Sequence, residues 1–493
     1  MIKKSSRSCA YAPLRGRARC ALPPPADDLR IERIGADGDG IATRPDGTSF
    51  YIAGTLPGEL VRAQPIVRRG EGWAAEALTI AGHSPERASP PCPHFGACGG
   101  CALQHWRDDA YLDWKSGLLR AALARAGFPD APVGPISQSP AGSRRRVDLA
   151  LNRAAGKVQV GLHRRRSADI VDLQSCVVLD PSLVDLIAPL RAVLVPLSAL
   201  RRSGSAIVNL LDTGADLLLR TDADITTADR TALTGFAAAH ELSRIAWARA
   251  NGEPEAVCVL RPPVVSLSSV TVSPPPGAFL QATVAAERAI VAAVLAGLPE
   301  TLPARSRIVE LFAGCGTLTF PLAAHARVIA FEADEAAAAS LRRAAAGRPI
   351  AVVARDLARQ PLGAEELAGA AAIVLDPPYA GAAPQMPALA ASRVPRIVYA
   401  SCNPATLARD ARSLRDAGYE VLAATPIDQF RWSARLESVV AFGRSFERSC
   451  TSVRCIVGTR TVQASSAVTP SNLRPPARIA STCSGQGSIS VTS

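Results

Sequence analysis

No run of about eighteen apolar residues occurs in the chain, which excludes a membrane-spanning helix. The first residues are basic but carry no clean apolar segment with a cleavage site, so no secretory leader is expected. Aromatic residues are scarce at 4%, and methionine occurs only twice in a chain rich in alanine and arginine. That is a habit of composition, and no function follows from it. Core-forming material is plentiful. Hydrophobic residues make up 48% of 493 positions, and the length suggests about two to four domains.

A net charge of +12 invites a nucleic-acid partner, but its distribution weakens the inference. Residues 1–28 hold six Lys/Arg against two Asp, and residues 447–493 hold five Arg against one Glu. Each tail is therefore +4, which leaves +4 for the body between them. Local clusters in the body are the better signal. Arg68-Arg69, Arg144-Arg145-Arg146 and Arg164-Arg165-Arg166 are candidate phosphate contacts, with a solvated face as the alternative. Both tails lack periodicity and are expected to be disordered.

One thiol stands where chemistry is expected. Val398 to Ser401 lead into Cys402 as a run of β-favouring and small residues. Asn403-Pro404 stops the run, because proline has no amide to donate and biases its predecessor away from helix. Residues 405–414 then read as a helix. Cys402 thus sits at the carboxyl end of a strand, where open α/β sheets build their sites, and a helix amino end there can lower a thiol pKa. Position alone does not separate a nucleophile from a buried structural cysteine.

Residues 29–82 carry short alternating runs at 29–34, 40–43, 49–52, 60–67 and 74–80, separated by Asp-Gly and Pro-Gly turn pairs. Short strands at this spacing predict a small β-barrel. Gly38-Asp-Gly-Ile-Ala, followed by Phe50-Tyr-Ile and Leu56-Pro-Gly-Glu-Leu-Val, resembles the TRAM domain, an OB-like RNA-binding module, over residues 29–83.

Cys92, Cys98 and Cys101 fall within ten residues, with Gly99 and Gly100 between the last two. Glycine permits the positive-φ backbone that turns adjacent thiols toward one centre. Three thiolates leave a four-ligand site incomplete, and Cys176 is the candidate fourth. Thiolates suit both a structural zinc and an iron–sulfur cluster, and the residue types leave both open. Disulfides are disfavoured by the intracellular setting expected here. The spacing Cys-x5-Cys-Gly-Gly-Cys with a distant cysteine resembles the 4Fe–4S site of RNA 5-methyluridine methyltransferases. That resemblance implies Cys92, Cys98, Cys101 and Cys176 as cluster ligands, with zinc as the alternative. The simplest role for the cluster is to staple a loop-rich region.

Residues 103–127 read as a helix, 129–142 as a linker rich in Pro, Gly and Ser, and 145–177 as alternating strands. Arg144-Arg145-Arg146-Val147 and Val160-Gly-Leu-His-Arg-Arg look like central-domain strands of the same family, which help hold RNA. Residues 181–265 show mixed patterns and no identifiable chemistry. Ser273-Pro-Pro-Pro-Gly277 is a sharp boundary, after which Ala278-Phe-Leu-Gln-Ala-Thr283 leads into a helical pattern.

Residues 308–320 read as a buried strand, a Gly-rich turn and a helix, whose free N–H groups suit a ligand held close to the backbone. Glu332 ends the next strand at the spacing suited to ribose hydroxyls, Asp356 follows a third, and Asp376 ends a fourth within Asp376-Pro-Pro-Tyr379. Gly314-Cys-Gly316 runs into Thr-Leu-Thr, so the dinucleotide fingerprint is absent, and a nucleotide-dependent oxidoreductase is the competing class. The series resembles the first motif of S-adenosylmethionine-dependent methyltransferases. This resemblance implies Gln281, Phe312, Gly314, Glu332 and Asp376 as residues of the S-adenosylmethionine site, with Glu332 on the ribose.

Asp-Pro-Pro-Tyr by itself resembles the motif of amine-methylating enzymes. Cys402 weighs against that chemistry, because nitrogen already has a lone pair and needs no thiol. Uracil C5 is a poor nucleophile and must be activated by thiolate addition at C6. Ser401-Cys-Asn-Pro-Ala-Thr and Leu436-Glu437-Ser-Val-Val match the nucleophile and base motifs of RNA (uracil-5-)-methyltransferases. The resemblance covers about residues 29–445 and implies Cys402 as nucleophile and Glu437 as proton acceptor. It departs from the family pattern at Thr283, Tyr379 and Arg435, where Asn, Arg and His are usual.

The resemblance implies a multidomain protein with disordered tails at 1–28 and 447–493. An OB-like TRAM β-barrel is expected over 29–83, an α+β central domain with the cysteine cluster over 84–272, and a Rossmann-like α/β methyltransferase domain over 273–446. The expected activity is S-adenosylmethionine-dependent methylation of uracil C5 in RNA, 23S rRNA being favoured by a TRAM domain together with a cluster. The target base would be flipped from its stack. Methylation of tRNA uracil, amine methylation and noncatalytic RNA binding are the alternatives. A cytoplasmic monomer with no membrane partner is expected.

Overall fold

The computed structural model describes residues 25–444. Expectations for residues 1–24 and 445–493 lie outside the described residues. The first strand, Asp27–Arg30, begins two residues inside the N-terminal stretch 1–28 read as disordered.

The first sheet has six strands, ordered Asp27–Arg30, Leu60–Arg69, Gly72–Ala81, Ser49–Ala53, Asp39–Thr43 and Arg33–Ile34. Residues 27–30 pair with residues 60–63, while Arg33 and Ile34 pair with Ile41 and Gly40, so one segment joins both edges and closes the sheet. Leu29, Ile31, Phe50, Ile52, Val61 and Trp73 fill its interior.

A seven-stranded sheet follows, ordered Ile170–Asp172, Lys157–His163, Arg146–Ala154, Ser203–Leu211, Gly214–Thr221, Arg244–Arg249 and Glu255–Val259. Its one parallel pair, Gly214–Thr221 with Arg244–Arg249, is joined through the helix Thr227–Ala239. That helix opens with a capping box between Thr226 and Asp229.

The third sheet has eight strands. Their spatial order is Ile350–Ala354, Arg327–Glu332, Arg307–Leu311, Ala372–Leu375, Arg396–Ser401, Glu437–Gly443, Glu420–Asp428 and Ser137–Gln138. All run in one direction except Glu437–Gly443, which is antiparallel to both neighbours. The strand order reverses between Arg307–Leu311 and Ala372–Leu375, the switch point at which such sheets bind ligands.

Two segments join this third sheet from far upstream. The stretch 129–142, which reads as a linker, supplies the edge strand Ser137–Gln138 beside Ile427 and Asp428. Gly134 N–H also donates to Ala424 O at 2.9 Å, because an exposed edge offers unpaired backbone groups. The helix Asp108–Ala126 buries Leu119, Leu123 and Ala126 in the same core as Tyr399, Leu407 and Val440.

That helix also carries a buried ion pair. Lys115 Nζ meets Asp428 Oδ1 with both side chains fully buried. Tyr111 OH donates to Asp428 Oδ2 at 2.9 Å, Lys115 Nζ donates to Phe430 O at 3.1 Å, and Trp432 N–H donates to the Tyr111 oxygen at 2.8 Å.

Half of the arginines in the basic clusters are tied to buried carboxylates. Arg69, Arg165 and Arg166 all converge on the buried Asp39, tying the first sheet to the second. Arg145 pairs with Glu287 at 2.5 Å, both largely buried. Guanidinium groups committed to buried carboxylates are not free phosphate contacts, so the local charge runs overstated the basic surface.

Lys115→Met leaves Asp428 buried without its cation. It is expected to lower the unfolding free energy by about 3–5 kcal/mol, read from urea unfolding, and Lys115→Met with Asp428→Leu should recover most of that loss.

Candidate active site

The carboxyl ends of the parallel strands define one edge of the third sheet. Leu311 and Glu332 reach it, as do Leu375, which leads to Asp376, and Ser401, which leads to Cys402. The reversed strand begins at this edge with Glu437. Its register pairs Ser438 with Ser401 and Glu437 with Ile427, so Glu437 lies between the Cys402 and Gln429 ends of its neighbours.

A chain of buried amides and carboxyls links these ends. Gln429 Nε2 donates to Glu437 Oε2 at 2.7 Å and to Gln281 Oε1 at 3.0 Å. Gln281 Nε2 donates to Asp376 Oδ2 at 3.2 Å, and Ala282 N–H donates to Gln429 Oε1 at 3.0 Å. Glu437 Oε1 is buried with no hydrogen-bond partner. An unsatisfied buried carboxylate oxygen is costly and marks a place where a ligand proton fits.

Burial pushes the Glu437 carboxyl well above the ordinary carboxylate range, and neighbouring Asp376 pushes the same way. Asp376 is raised to about 6 by its own burial, against the Gln281 hydrogen bond. The Cys402 thiol is pushed up to about 12, by burial first and then by Glu437 and Asp376, while Arg435 pulls it down. A thiol acidified by a helix amino end was the sequence expectation, and the structure reverses the sign. Pro404 has no N–H, and Ala405 N–H is already taken by Asn403 Oδ1 at 3.0 Å, so little of the helix terminus is left for sulfur.

The Gly-rich turn after Leu311 is built as a cradle. Phe312 takes a left-handed φ of 65°, a strained conformation for a residue with a side chain. No atom lies within 4 Å of where a Cβ on Gly314 would sit, which leaves room for a ligand against the backbone. Gly316 is required for the opposite reason, since a Cβ there would lie 2.6 Å from both Leu341 and Phe320. Glu332 Oε2 accepts from Gly314 N–H at 2.7 Å and Oε1 accepts from Asp334 N–H at 2.6 Å, which fixes the carboxylate at the rim. The open space and the oriented carboxylate fit a nucleoside-bearing methyl donor. Asp356 is occupied with Ala358 N–H at 3.0 Å and Arg359 at 3.5 Å.

Of the four candidate metal-ligating cysteines, Cys176, Cys98 and Cys92 lie near enough to Cys101 to act on its charge. Cys101 is pushed up to about 12, first by burial and then by its neighbours Cys176, Cys98 and Cys92. Among the described residues, no group of three or more His, Cys, Asp or Glu is positioned to hold a metal ion. Gly99 and Gly100 do not take positive φ, contrary to the sequence reading. Gly99 is needed for close approach, since a Cβ would lie 2.8 Å from His163 O. Gly100 N–H donates to Cys98 Sγ at 3.4 Å. Just past Cys101, the N–H groups of Ala102 and Leu103 donate to Trp432 O at 2.8 and 3.0 Å, tying the thiol loop to the segment that leads to Glu437.

Sequence reasoning missed Gln429, Lys115 and Glu310. Glu310 lies in the middle of the strand Arg307–Leu311, fully buried, and burial raises its carboxyl to about 8. A carboxylate inside an apolar strand was a readable anomaly. Gln429 stands in the Asp428-Gln-Phe stretch before Glu437, but its bond to Gln281, 148 residues away, has no local signature.

The family profile described as tRNA (Uracil-5-)-methyltransferase matches residues 368–445, the stretch carrying Asp376, Cys402 and Glu437. A protein of Caulobacter vibrioides described as an uncharacterized RNA methyltransferase is 40% identical over 432 residues, covering 85% of this chain and 100% of that one. The Chromohalobacter salexigens protein named 23S rRNA (uracil(1939)-C(5))-methyltransferase RlmD is 34% identical over 439 residues, covering 86% of this chain and 90% of that one. This chain belongs to the RNA (uracil-C5-)methyltransferase family. Its fold is similar to that of the Pyrococcus abyssi tRNA (uracil-54, C5)-methyltransferase solved with S-adenosyl-L-homocysteine. The TM-score is 0.63 at 19% identity, over 84% of this chain and 100% of that one.

The three departures from the family pattern have local explanations or partners. Thr283 caps the helix Val284–Ala296, its Oγ1 accepting from Ala286 N–H at 3.0 Å and meeting Ser139 Oγ at 2.7 Å. Threonine and asparagine both serve as helix caps, so the cap survives the exchange. Tyr379 and Arg435 meet each other, with the guanidinium 4.3 Å from the ring centroid.

Glu310, Asp376 and Glu437 hold protons in the folded state that the unfolded chain releases at lower pH. Stability contributed by these groups therefore falls as pH rises above the ordinary carboxylate range, up to about 6 for Asp376 and about 8 for Glu310. Glu310→Gln, which cannot ionise, should lose less melting temperature than the parent between about pH 5 and pH 8. Thermal melts across that range provide the check.

Proposed function

We propose that this protein methylates C5 of uracil in RNA with S-adenosylmethionine as donor, and that its substrate is 23S rRNA. The observation that carries this reading is the meeting of a thiol, Cys402, and a buried carboxyl with a free oxygen, Glu437, at the edge where the Gly314 cradle opens. When bound, S-adenosylmethionine supplies an electrophilic methyl group. Glu332 would hold its ribose, and Phe312, Gly314, Gln281 and Asp376 would line its site.

Cys402 supplies the activation that uracil C5 lacks. After its proton has left to water, the thiolate bonds to C6 and the C5=C6 electron pair moves toward C5. C5 takes the methyl group, and Glu437 removes the C5 proton. The C5–H pair then restores the C5=C6 bond as the C6–S bond breaks and Cys402 leaves as thiolate. Gln429 orients the Glu437 carboxyl for that transfer. Its raised pKa makes the Glu437 carboxylate, once ionised, a strong acceptor for that proton.

The first sheet supports a TRAM-like role in holding RNA. It is closed, and its exposed rim carries Arg62 and Arg68. A cytoplasmic monomer is the form proposed. Amine methylation keeps one supporting observation, the exposed Tyr379 after Asp-Pro-Pro.

Cys402→Ala should abolish methyl transfer while donor binding is retained, and full activity in that variant would favour amine chemistry. RNA containing 5-fluorouridine should trap a covalent adduct, because the C5 fluorine cannot be abstracted. Failure to trap any adduct would favour a noncatalytic RNA-binding role. Glu437→Gln should slow turnover by about 10²–10⁴-fold. Mapping the methylated nucleotide in RNA from a deletion strain separates 23S rRNA from tRNA.

We further propose that Cys92, Cys98, Cys101 and Cys176 bind a 4Fe–4S cluster. The donor set of four free thiols supports this, as does the electrostatic influence of Cys92, Cys98 and Cys176 on Cys101. Anaerobically purified protein should show the broad visible absorption of a cubane cluster, together with iron and acid-labile sulfide. Cys176→Ser should lose the absorption and lower the melting temperature. One zinc and no sulfide would overturn the assignment.

A further inference from the structure

Among the described residues, Arg435 is a cation without a carboxylate partner, close to a thiol that two acids act on. Cys402 faces two carboxyls from two different elements, Asp376 after Ala372–Leu375 and Glu437 at the start of Glu437–Gly443. Of the arginines around this edge, Arg409 is committed to Asp410, and Arg431 to Asp108 and Gln138. Arg435 has no carboxylate partner among the described residues.

Its position is nevertheless defined. The guanidinium lies over the Tyr379 ring, and Tyr379 is exposed. Asn403 Nδ2 donates to Tyr379 O at 3.0 Å, so the platform is tied to the residue next to Cys402. Arg435 N–H donates to Ser433 Oγ at 3.1 Å, and buried Leu436 anchors the chain between Arg435 and Glu437. A guanidinium held over a ring loses less further freedom when it meets an anion.

We propose that Arg435, held on Tyr379, is the counter-ion of the Cys402 thiolate. Arg435 is the positively charged group acting on the sulfur, against Glu437 and Asp376. RNA laid over the exposed Tyr379 face would displace water from the pair and strengthen the attraction, so the nucleophile would form most readily with substrate in place. Arg435 acts through Cys402 and is a positioning residue for charge. The inference rests on the reading of Cys402 as nucleophile.

The test is the pH dependence of Cys402 alkylation by iodoacetamide in the full chain, followed on the Cys402 peptide by mass spectrometry. The thiolate is the reacting species, so the profile reports the charge environment directly. Arg435→Gln should move the profile to higher pH by about one unit, roughly tenfold in rate at a fixed pH below the midpoint. Arg435→Lys should recover part of the shift, because it keeps the charge. Tyr379→Ala should show the shift and Tyr379→Phe should not, because phenylalanine keeps the ring.

An unchanged profile in Arg435→Gln would overturn the proposal. If RNA affinity and its salt dependence fell at the same time, Arg435 would be a phosphate contact instead. A shift that Arg435→Lys leaves wholly uncorrected would assign the effect to packing and overturn it equally. Persistent methylation by Cys402→Ala would sink the nucleophile reading, whatever the alkylation profiles of the Arg435 variants.

Discussion

One strand running against its neighbours organises the site. Parallel strands deliver their carboxyl ends to a single edge, and Asp376 and Cys402 arrive there for that reason. A strand of the same sense would carry its first residue to the opposite edge. Because Glu437–Gly443 is reversed, its first residue falls beside the last residues of Arg396–Ser401 and Glu420–Asp428. The register Ser401 with Ser438 is therefore what brings a carboxyl to a thiol. A slip of one residue would turn every side chain of that strand to the other face, removing Glu437 from Gln429.

That register is held from outside the sheet. The segment between Gln429 and Glu437 is fastened by the Lys115–Asp428 pair at its start, by Tyr111 and by the thiol loop at Trp432 O. Trp432 itself sits at a left-handed φ of 58°, a conformation that persists only where surrounding contacts over-determine it. The helix Asp108–Ala126 and the cysteine loop are thus part of the framework of the site, although they precede the second sheet in sequence. This gives the thiol loop a mechanical role that does not depend on electron transfer.

The electrostatics follow from the same crowding. Three carboxyls and a thiol share a region with little water, and burial raises all four. Such a site resists forming charge until a partner arrives. Gln281, Gln429 and Arg435 are among the groups that work against that resistance. Local sequence suggested a thiol acidified by a helix terminus, and that reading failed because burial and two carboxyls raise the thiol, while Asn403 takes the Ala405 N–H. It also suggested free arginine patches, where buried Asp39 and Glu287 had claimed the guanidinium groups.

The sequence by itself determined the local units: alternating runs became strands, Asn403-Pro404 ended one strand and opened a helix, and the Gly314 turn joined a strand to a helix. These are decided by neighbours a few residues apart, through backbone sterics and periodicity, so they can be read directly. Cys402 and Glu437 were legible as candidates through motifs of that kind. Tertiary structure alone decided that Gln429 bridges Glu437 to Gln281, that Lys115 neutralises Asp428 across more than three hundred residues, and that Arg435 lies on Tyr379. Hydrogen bonds and charge pairs between distant segments depend on strand order and register, and no local pattern encodes either.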